Sequence, residues 1–354
     1  MKKIILIFII FLMTGCYDYS EINDLAIVSA IGIDYDKEFN LTFEILNDKS
    51  SENPQNPKGY TINGNGPTLA QAFNNITLKI SKVPYYYHIK AIIVDEETAK
   101  NHMQEFVDYF VRAFDIRNEF YLTVCVECKS SDIINSSNED TPVIADSLSM
   151  LIQTSNYNYN AAYSKPFEDV MEKMVNDKTD AITSAISLKN NKISIAGLAV
   201  FHDYKYTYLL ESKDSTFLNL LLEEKSNALL TKYYNGKPFS INIDFSKIKY
   251  QINDKNINIR IVCEGSVKEN VPNLNLKDED VYKKLIKEFK KLLLENLNNT
   301  LNLLKKENLD ILGLQDLYYK KTKKVVDVYR DINITFDIDM RINKKGLIFE
   351  VDNG

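Results

Sequence analysis

DEDVYKKLIKEFKKLLLENLNNTLNLLKKENL, residues 278–309, sets Val281, Leu285, Phe289, Leu292, Leu293, Leu297, Leu301 and Leu304 at helical spacing. Steps of three, four and seven place these side chains on one stripe, the mark of an amphipathic helix. Thirty residues make a helix roughly 45 Å long. Gly313 marks its end. A second signal follows in INITFDIDMRI, residues 332–342, where Ile332, Ile334, Phe336, Ile338, Met340 and Ile342 alternate without a break. That period of two is a half-buried strand. Upstream, Ile241, Ile243 and Phe245 alternate, then Ile248, Tyr250 and Ile252. Past a turn at 253–256 come Ile257, Ile259, Ile261 and Cys263. These alternations read as a meander of antiparallel strands. A helix stripe of this kind covers a sheet, so residues 241–354 read as a C-terminal strand–long helix–strand domain.

Toward the N-terminus the pattern changes to strands interleaved with shorter helices. Leu25 to Ile33 is a buried strand, and Leu41, Phe43 and Ile45 alternate on its return. Residues 48–67 hold Ser50, Ser51, Pro54, Pro57, Gly64, Gly66 and Pro67 and read mostly as loop. Thr68 is an N-cap for a helix carrying Leu69, Ala72, Phe73, Ile76 and Ile80. Ile89 to Val94 is a strand. One helix opens at Asp95-Glu-Glu97, where acidic side chains suit the positive end of the dipole, and its apolar face is Met103, Phe106, Val107, Phe110, Val111 and Phe114. Residues 120–128 read as a strand and 129–141 as a surface excursion. Helices at about 143–153 and 166–176 flank an Asn/Tyr-rich loop at 154–164. Strands at 182–188, 193–201 and 204–210 and a helix at 215–224 complete this region. The fold class is α+β: an N-terminal α/β domain with a helical excursion (16–189), a small middle domain (190–240) and the C-terminal domain, with largely antiparallel sheets.

The first residues, MKKIILIFIIFLMTGC, decide where the chain works. Lys2 and Lys3 precede an apolar run, Ile4 to Met13, too short to span a ~30 Å hydrocarbon core. Thr14 and Gly15 lead to Cys16. A cationic start, a 7–15 residue apolar centre and small residues before the cut describe an export leader at 1–15. Ending on Cys, it resembles a bacterial lipobox, with Met13 where Leu is usual. That resemblance implies a diacylglyceryl group on the Cys16 thiol, whose two chains hold a protein durably on a bilayer. A plain export signal or an uncleaved anchor are the alternative readings.

Composition narrows the function. The chain has 354 residues, is 45% hydrophobic and can bury ordinary cores. Without Lys2 and Lys3 it carries 41 basic against 49 acidic residues, the wrong balance for a nucleic-acid binder. No G-x-S-x-G, H-E-x-x-H, P-loop or Rossmann glycine pattern occurs, so the sequence offers no enzyme constellation and no cofactor site. His88, His102 and His202 stand in unrelated contexts. Gly64-Asn-Gly66-Pro67 reads as a loop rather than an anion cradle, and Asp95-Glu-Glu97 as a helix start rather than a carboxylate pair. Cys125-Val-Glu-Cys128 has the C-x-x-C spacing, but in a strand positions i and i+3 face opposite sides. Both cysteines therefore read as strand residues, with a disulfide or redox pair as the other reading. No second pair of ligands supports zinc. Tyr85, Tyr86, Tyr87 and His88 form an aromatic cluster of the kind that contacts partners.

Gly15-Cys16-Tyr-Asp-Tyr-Ser-Glu-Ile-Asn-Asp-Leu-Ala-Ile-Val28, running on to Gly32-Ile-Asp34, resembles the start of the spore germinant-receptor C subunits, the Ger(x)C lipoproteins. Further resemblances follow in order: His88-Ile-Lys90, Arg112-Ala-Phe-Asp-Ile-Arg117, Gly197-Leu-Ala-Val-Phe201, and the closing strand before Lys345-Gly346. Tyr17 stands where the family commonly has Trp. The resemblance implies an elongated ectodomain of three mixed α/β domains, tethered through Cys16 to the outer face of the spore inner membrane. It implies A-type and B-type membrane subunits as partners in one nutrient receptor, and no enzymatic activity. An extracytoplasmic ligand-binding lipoprotein of a transport system, and a lipid-anchored hydrolase, are the competing classes.

Overall fold

The computed structural model describes residues 24–47, 59–113, 116–137, 141–176, 178–222 and 227–344. The leader, Cys16 and Asp115 lie outside the described residues.

Among the described residues the strands form two sheets, of nine and four strands. The first runs β3-β2-β1-β5-β6-β7-β8-β9, with β1 at Leu25–Asp36, β2 at Glu38–Leu46, β3 at Gly59–Gly66, β5 at Ala91–Asp95 and β6 at Tyr121–Cys125. β7 is Ala181–Lys189, β8 Lys192–His202 and β9 Lys205–Glu211; a short β4, Val83–Tyr85, also pairs with β1. The sheet is mixed: β1 runs parallel to β4 and β5, and β5, β6 and β7 are parallel to one another. This parallel centre is buried on both faces. Ile31, Ile33, Ile92 and Val94 face one core, and Ala30, Ala91, Ile93 and Ile186 the other. That explains why β1 and β5 read as continuous apolar runs rather than as alternations.

Helices α1 (Leu69–Thr77), α3 (Met103–Arg112) and α6 (Phe167–Val175) cover the first face through Phe73, Phe106, Phe110 and Phe167. Helices α4 (Ser130–Ile134) and α5 (Ile144–Tyr159) cover the second. Residues 129–141 are therefore not a plain surface excursion: Ile133 and Ile134 are fully buried. Helix α5 also runs six residues beyond its expected end, through the polar Asn/Tyr stretch. The helix expected from Asp95 is broken at His102 into α2 (Glu96–Asn101) and α3. Residues 59–66, expected as loop, form β3, because their glycines admit α1. A Cβ on Gly66 would lie 2.8 Å from the Ala72 amide nitrogen.

The second sheet, β10 (Ala228–Tyr234), β11 (Lys237–Ile252), β12 (Asn256–Asn270) and β13 (Asn333–Lys344), carries the long helix α8, Glu279–Glu307. Asp278 caps it, accepting from Asp280 N–H at 2.9 Å and Val281 N–H at 3.2 Å. Leu285, Phe289, Leu293, Leu297, Leu301 and Leu304 are its buried stripe, as the sequence predicts. It ends at left-handed Asn308, ahead of Gly313, which starts α9 (Leu314–Thr322); α10 is Val328–Asp331. The meander is antiparallel through β12, but β12 and β13 are parallel. A parallel pair needs a crossover, which α8 provides. Residues 192–211, expected in a small middle unit, run as β8 and β9 along the first sheet. Helix α7 (Ser212–Leu222) packs on β8 and β9, on β10 and β11, and on α8, and one apolar core continues across both sheets.

Cys125 and Cys128 form a disulfide, which corrects the strand reading of 120–128. The strand stops at Cys125, and Glu127 turns left-handed at φ 56°. That turn brings the Cα atoms within 5.5 Å, where an extended chain would part the thiols. Cys263 is a free, buried cysteine whose thiol burial pushes up to about 12. Among the described residues no helix is long and apolar enough to cross a membrane.

Candidate functional site

The aromatic cluster follows β4, whose Val83, Pro84 and Tyr85 pair with Leu25, Ala26 and Ile27 of β1. Tyr86 turns inward, edge-on to Phe43 at 6.1 Å and Phe73 at 5.8 Å. Tyr85 stays near the surface, its ring 5.4 Å from both Tyr87 and His88. Tyr87 and His88 are exposed, and the Arg117 guanidinium lies 5.3 Å from the centre of the Tyr87 ring. One ring thus anchors the segment, and the others present an aromatic and cationic surface. Arg112, read with Arg117 in the sequence, pairs instead with Asp108 at 2.9 Å one turn earlier on α3.

A cleft of about 1130 Å³ runs along the outer side of α3. Tyr35 and Phe39 stand at one end and Tyr86 and Arg112 at the other. The His102 ring stacks on Tyr35 at 3.6 Å, and its Nδ1 lies 3.3 Å from Glu105. Among the described residues that line this cleft there is no serine or cysteine. Among the described residues no group of three His, Cys, Asp or Glu side chains is placed to hold a metal ion.

Three buried carboxylates seat helices on the first sheet: Asp34 and Glu44, whose roles have no local signature in the sequence, and Asp95, which stands where the sequence opens a helix. Asp34 accepts from the Ser130 and Ser131 N–H groups at 2.7 and 3.1 Å, holding the start of α4. Glu44, 1% exposed, accepts from Ile144 and Ala145 N–H at 2.6 and 3.0 Å and from the Ser29 hydroxyl at 2.7 Å. Burial raises its pKa against those hydrogen bonds. Asp95 caps α2 through Thr98 N–H at 2.9 Å and pairs with Lys129. Its neighbours Glu96 and Glu97 bind Lys100 and Asn101, which supports the helix-start reading.

A further buried polar group lies where the two sheets meet. Asp180, at the entry to β7, accepts from Asp310 N–H at 2.5 Å, and its other oxygen lies 2.7 Å from His202 Nδ1. Asp310 in turn accepts from Leu314 and Gln315 N–H at 2.8 Å each and from the Tyr329 hydroxyl at 2.9 Å. Burial pushes Asp310 up to about 6. The Asp180 carboxylate beside His202 raises the imidazole above its ordinary value. These groups are 130 residues apart in the chain, so no local pattern could expose the pairing.

Two sheets, helices on both faces of the first, and a long crossover helix on the second define a mixed α/β architecture. Residues 18–188 match the family profile described as a spore germination protein N-terminal domain, and residues 196–346 match "Spore germination B3/ GerAC like, C-terminal". Spore germination protein KC of Bacillus subtilis (strain 168) is 22% identical over 90% of this chain and 86% of its own length. Spore germination protein B3 of the same organism is 20% identical over 98% of both. The crystal structure of the GerBC protein matches with a TM-score of 0.54 and 18% identity, covering 88% of this chain and 96% of its own. The chain belongs to the GerAC/GerBC-like C-subunit family of spore germination proteins, a family not known as enzymes.

Proposed function

We propose that this chain is the lipid-anchored, non-enzymatic C subunit of a spore germinant receptor, needed for nutrient-triggered germination. Cys16 carries the lipid, at the outer face of the spore inner membrane. A-type and B-type membrane subunits are its partners, and Tyr85, Tyr86, Tyr87 and His88 belong to the contact, with Tyr86 fixing the segment from within. The observation that carries this reading is the co-occurrence of a leader ending in Cys16 with family matches over residues 18–188 and 196–346. The Cys125–Cys128 disulfide supports an oxidising, extracytoplasmic setting.

The test is co-purification of the full chain with A- and B-type subunits from detergent-solubilised spore membranes, with Tyr87→Ala and His88→Ala as variants. Capture of both subunits, weakened by the variants at unchanged thermal stability, is the expected result. Absence of both subunits from the purified chain contradicts it. The cleft along α3 favours the ligand-binding lipoprotein as a second reading. Saturable binding of a small amino acid or sugar by the purified chain, without other subunits, distinguishes that case.

A further inference from the structure

Parallel strands bring one end of the first sheet together. Strands β1, β4, β5 and β6 all begin there, and α1 and α3, which lead into β4 and β6, both finish there. This end carries large apolar side chains in solvent: Leu78 is 79% exposed, Val83 60% and Val111 56%. Tyr85 and Tyr87 lie beside them, the residue type that settles at membrane–water boundaries. Among the described residues the basic Lys79, Lys82, Arg112 and Arg117 lie there with the acidic Asp24, Asp108, Glu119 and Glu168. Long basic side chains of this kind reach headgroups while their stems lie along apolar surface.

The same end receives the chain from Cys16. Leu25 pairs directly with Val83, and the nine residue steps from Cys16 to Leu25 span at most about 32 Å. A lipid on Cys16 therefore keeps the Leu25–Val83 end within about 32 Å of the bilayer and makes it the tethered end of the body. Isolated surface apolar residues are ordinary in soluble proteins. Here three of them sit at the tethered end, among tyrosines and cations.

We infer that this end of the first sheet, led by Leu78 and Val83, rests on the phospholipid surface and orients the whole ectodomain on the membrane. The inference rests on lipid anchoring at Cys16. It leaves Tyr87 and His88 at the rim of the contact, where a neighbouring membrane subunit meets them.

The chain contains no tryptophan, so one introduced indole is a clean reporter. Leu78→Trp and, separately, Val83→Trp are placed in the full-length lipoprotein. Asp36→Trp, at the far end of β1 and about 36 Å from Leu25, is the control. Each protein is reconstituted into vesicles of phosphatidylglycerol and brominated phosphatidylcholine. Mass spectrometry reads the Cys16 modification and flotation reads anchoring. The expected result is flotation of all three, with indole quenching at 78 and 83 about twofold or more above that at 36, as for side chains entering the headgroup boundary. Flotation with equal quenching at all three positions overturns the inference and leaves the anchor standing, with the patch left to a protein partner. Unmodified Cys16 with neither flotation nor quenching overturns both. Unmodified Cys16 with flotation and quenching at 78 supports the inference and overturns the anchor.

Discussion

Asp180 and Asp310 bind each other reciprocally across the meeting of the two sheets. The Asp180 carboxylate accepts the Asp310 N–H at 2.5 Å, and the Asp310 carbonyl accepts the Asp180 N–H at 3.2 Å. Thr179 adds its hydroxyl to the same carbonyl at 3.1 Å. These contacts clamp the entry of β7 to the α8–α9 connection and so tie the first sheet to the helical cover of the second. The buried Asp310 carboxyl makes the clamp sensitive to pH.

Burial pushes Asp310 up to about 6 in the folded chain, against an ordinary value near 3.8. The folded state holds this proton more tightly than the unfolded state, so its contribution to stability is complete below about pH 4. It is lost as pH rises through about 6, and the difference amounts to about 3 kcal/mol. His202 has the same sign: its raised value means that support from the charged imidazole is lost as pH rises through that value. Denaturant unfolding of the wild type should therefore show a falling contribution between pH 4 and 7, and Asp310→Asn should flatten that slope. Equal slopes for the two proteins would refute the assignment.

Glu44→Ala leaves the Ile144 and Ala145 N–H groups and the Ser29 hydroxyl without their buried acceptor. A loss of about 3 kcal/mol is expected. Hydrogen exchange should quicken first in α5, because that helix loses its seat on β2. A change of under ~0.5 kcal/mol would mean that water replaces the carboxylate.

Gly32 faces α4 so closely that a Cβ would lie 2.9 Å from Ser130 Oγ and 3.2 Å from the Ser130 backbone carbon. Gly32→Val should push α4 off the sheet and loosen the Asp34 cap, at a cost of about 2 kcal/mol. The Gly-Ile-Asp run at 32–34 thus acts as one device: Gly32 admits the helix and Asp34 holds its start. A lowered urea midpoint checks this.

The Cys125–Cys128 bridge closes a very short loop, so its removal should cost about 2 kcal/mol. Reduction of the wild type and the Cys125→Ser/Cys128→Ser double variant should give the same fall in melting temperature. Reductant should leave the double variant unchanged. A reductant-insensitive wild type would mean that the thiols are not paired.

The long helix and its strands were legible because each buries one face only, which leaves a clean period of 3.6 or 2 in Leu285–Leu304 and Ile332–Ile342. Legibility failed where packing outweighed local preference. Strand β3 is rich in glycine because α1 lies on it, so its residues resemble a loop. Helix α4 is mostly polar by sequence, yet Ile133 and Ile134 complete a core that residues 129–141 alone do not reveal. The parallel pairing of β12 and β13 cannot be read from alternation, which is the same for either direction. Of the candidate site, Tyr87 and His88 are exposed, whereas Tyr86 is half-buried against Phe43 and Phe73, a division that the run of aromatic residues does not reveal. The clamp at Asp180 and Asp310 depends on contacts between distant segments and has no local signature.

The most direct test of the central claim is germination of spores carrying Cys16→Ala, with the C, A and B subunits quantified in the inner membrane. The account predicts loss of the nutrient response together with loss of this chain from that membrane. A normal response, with the unlipidated chain absent from the membrane, would contradict it.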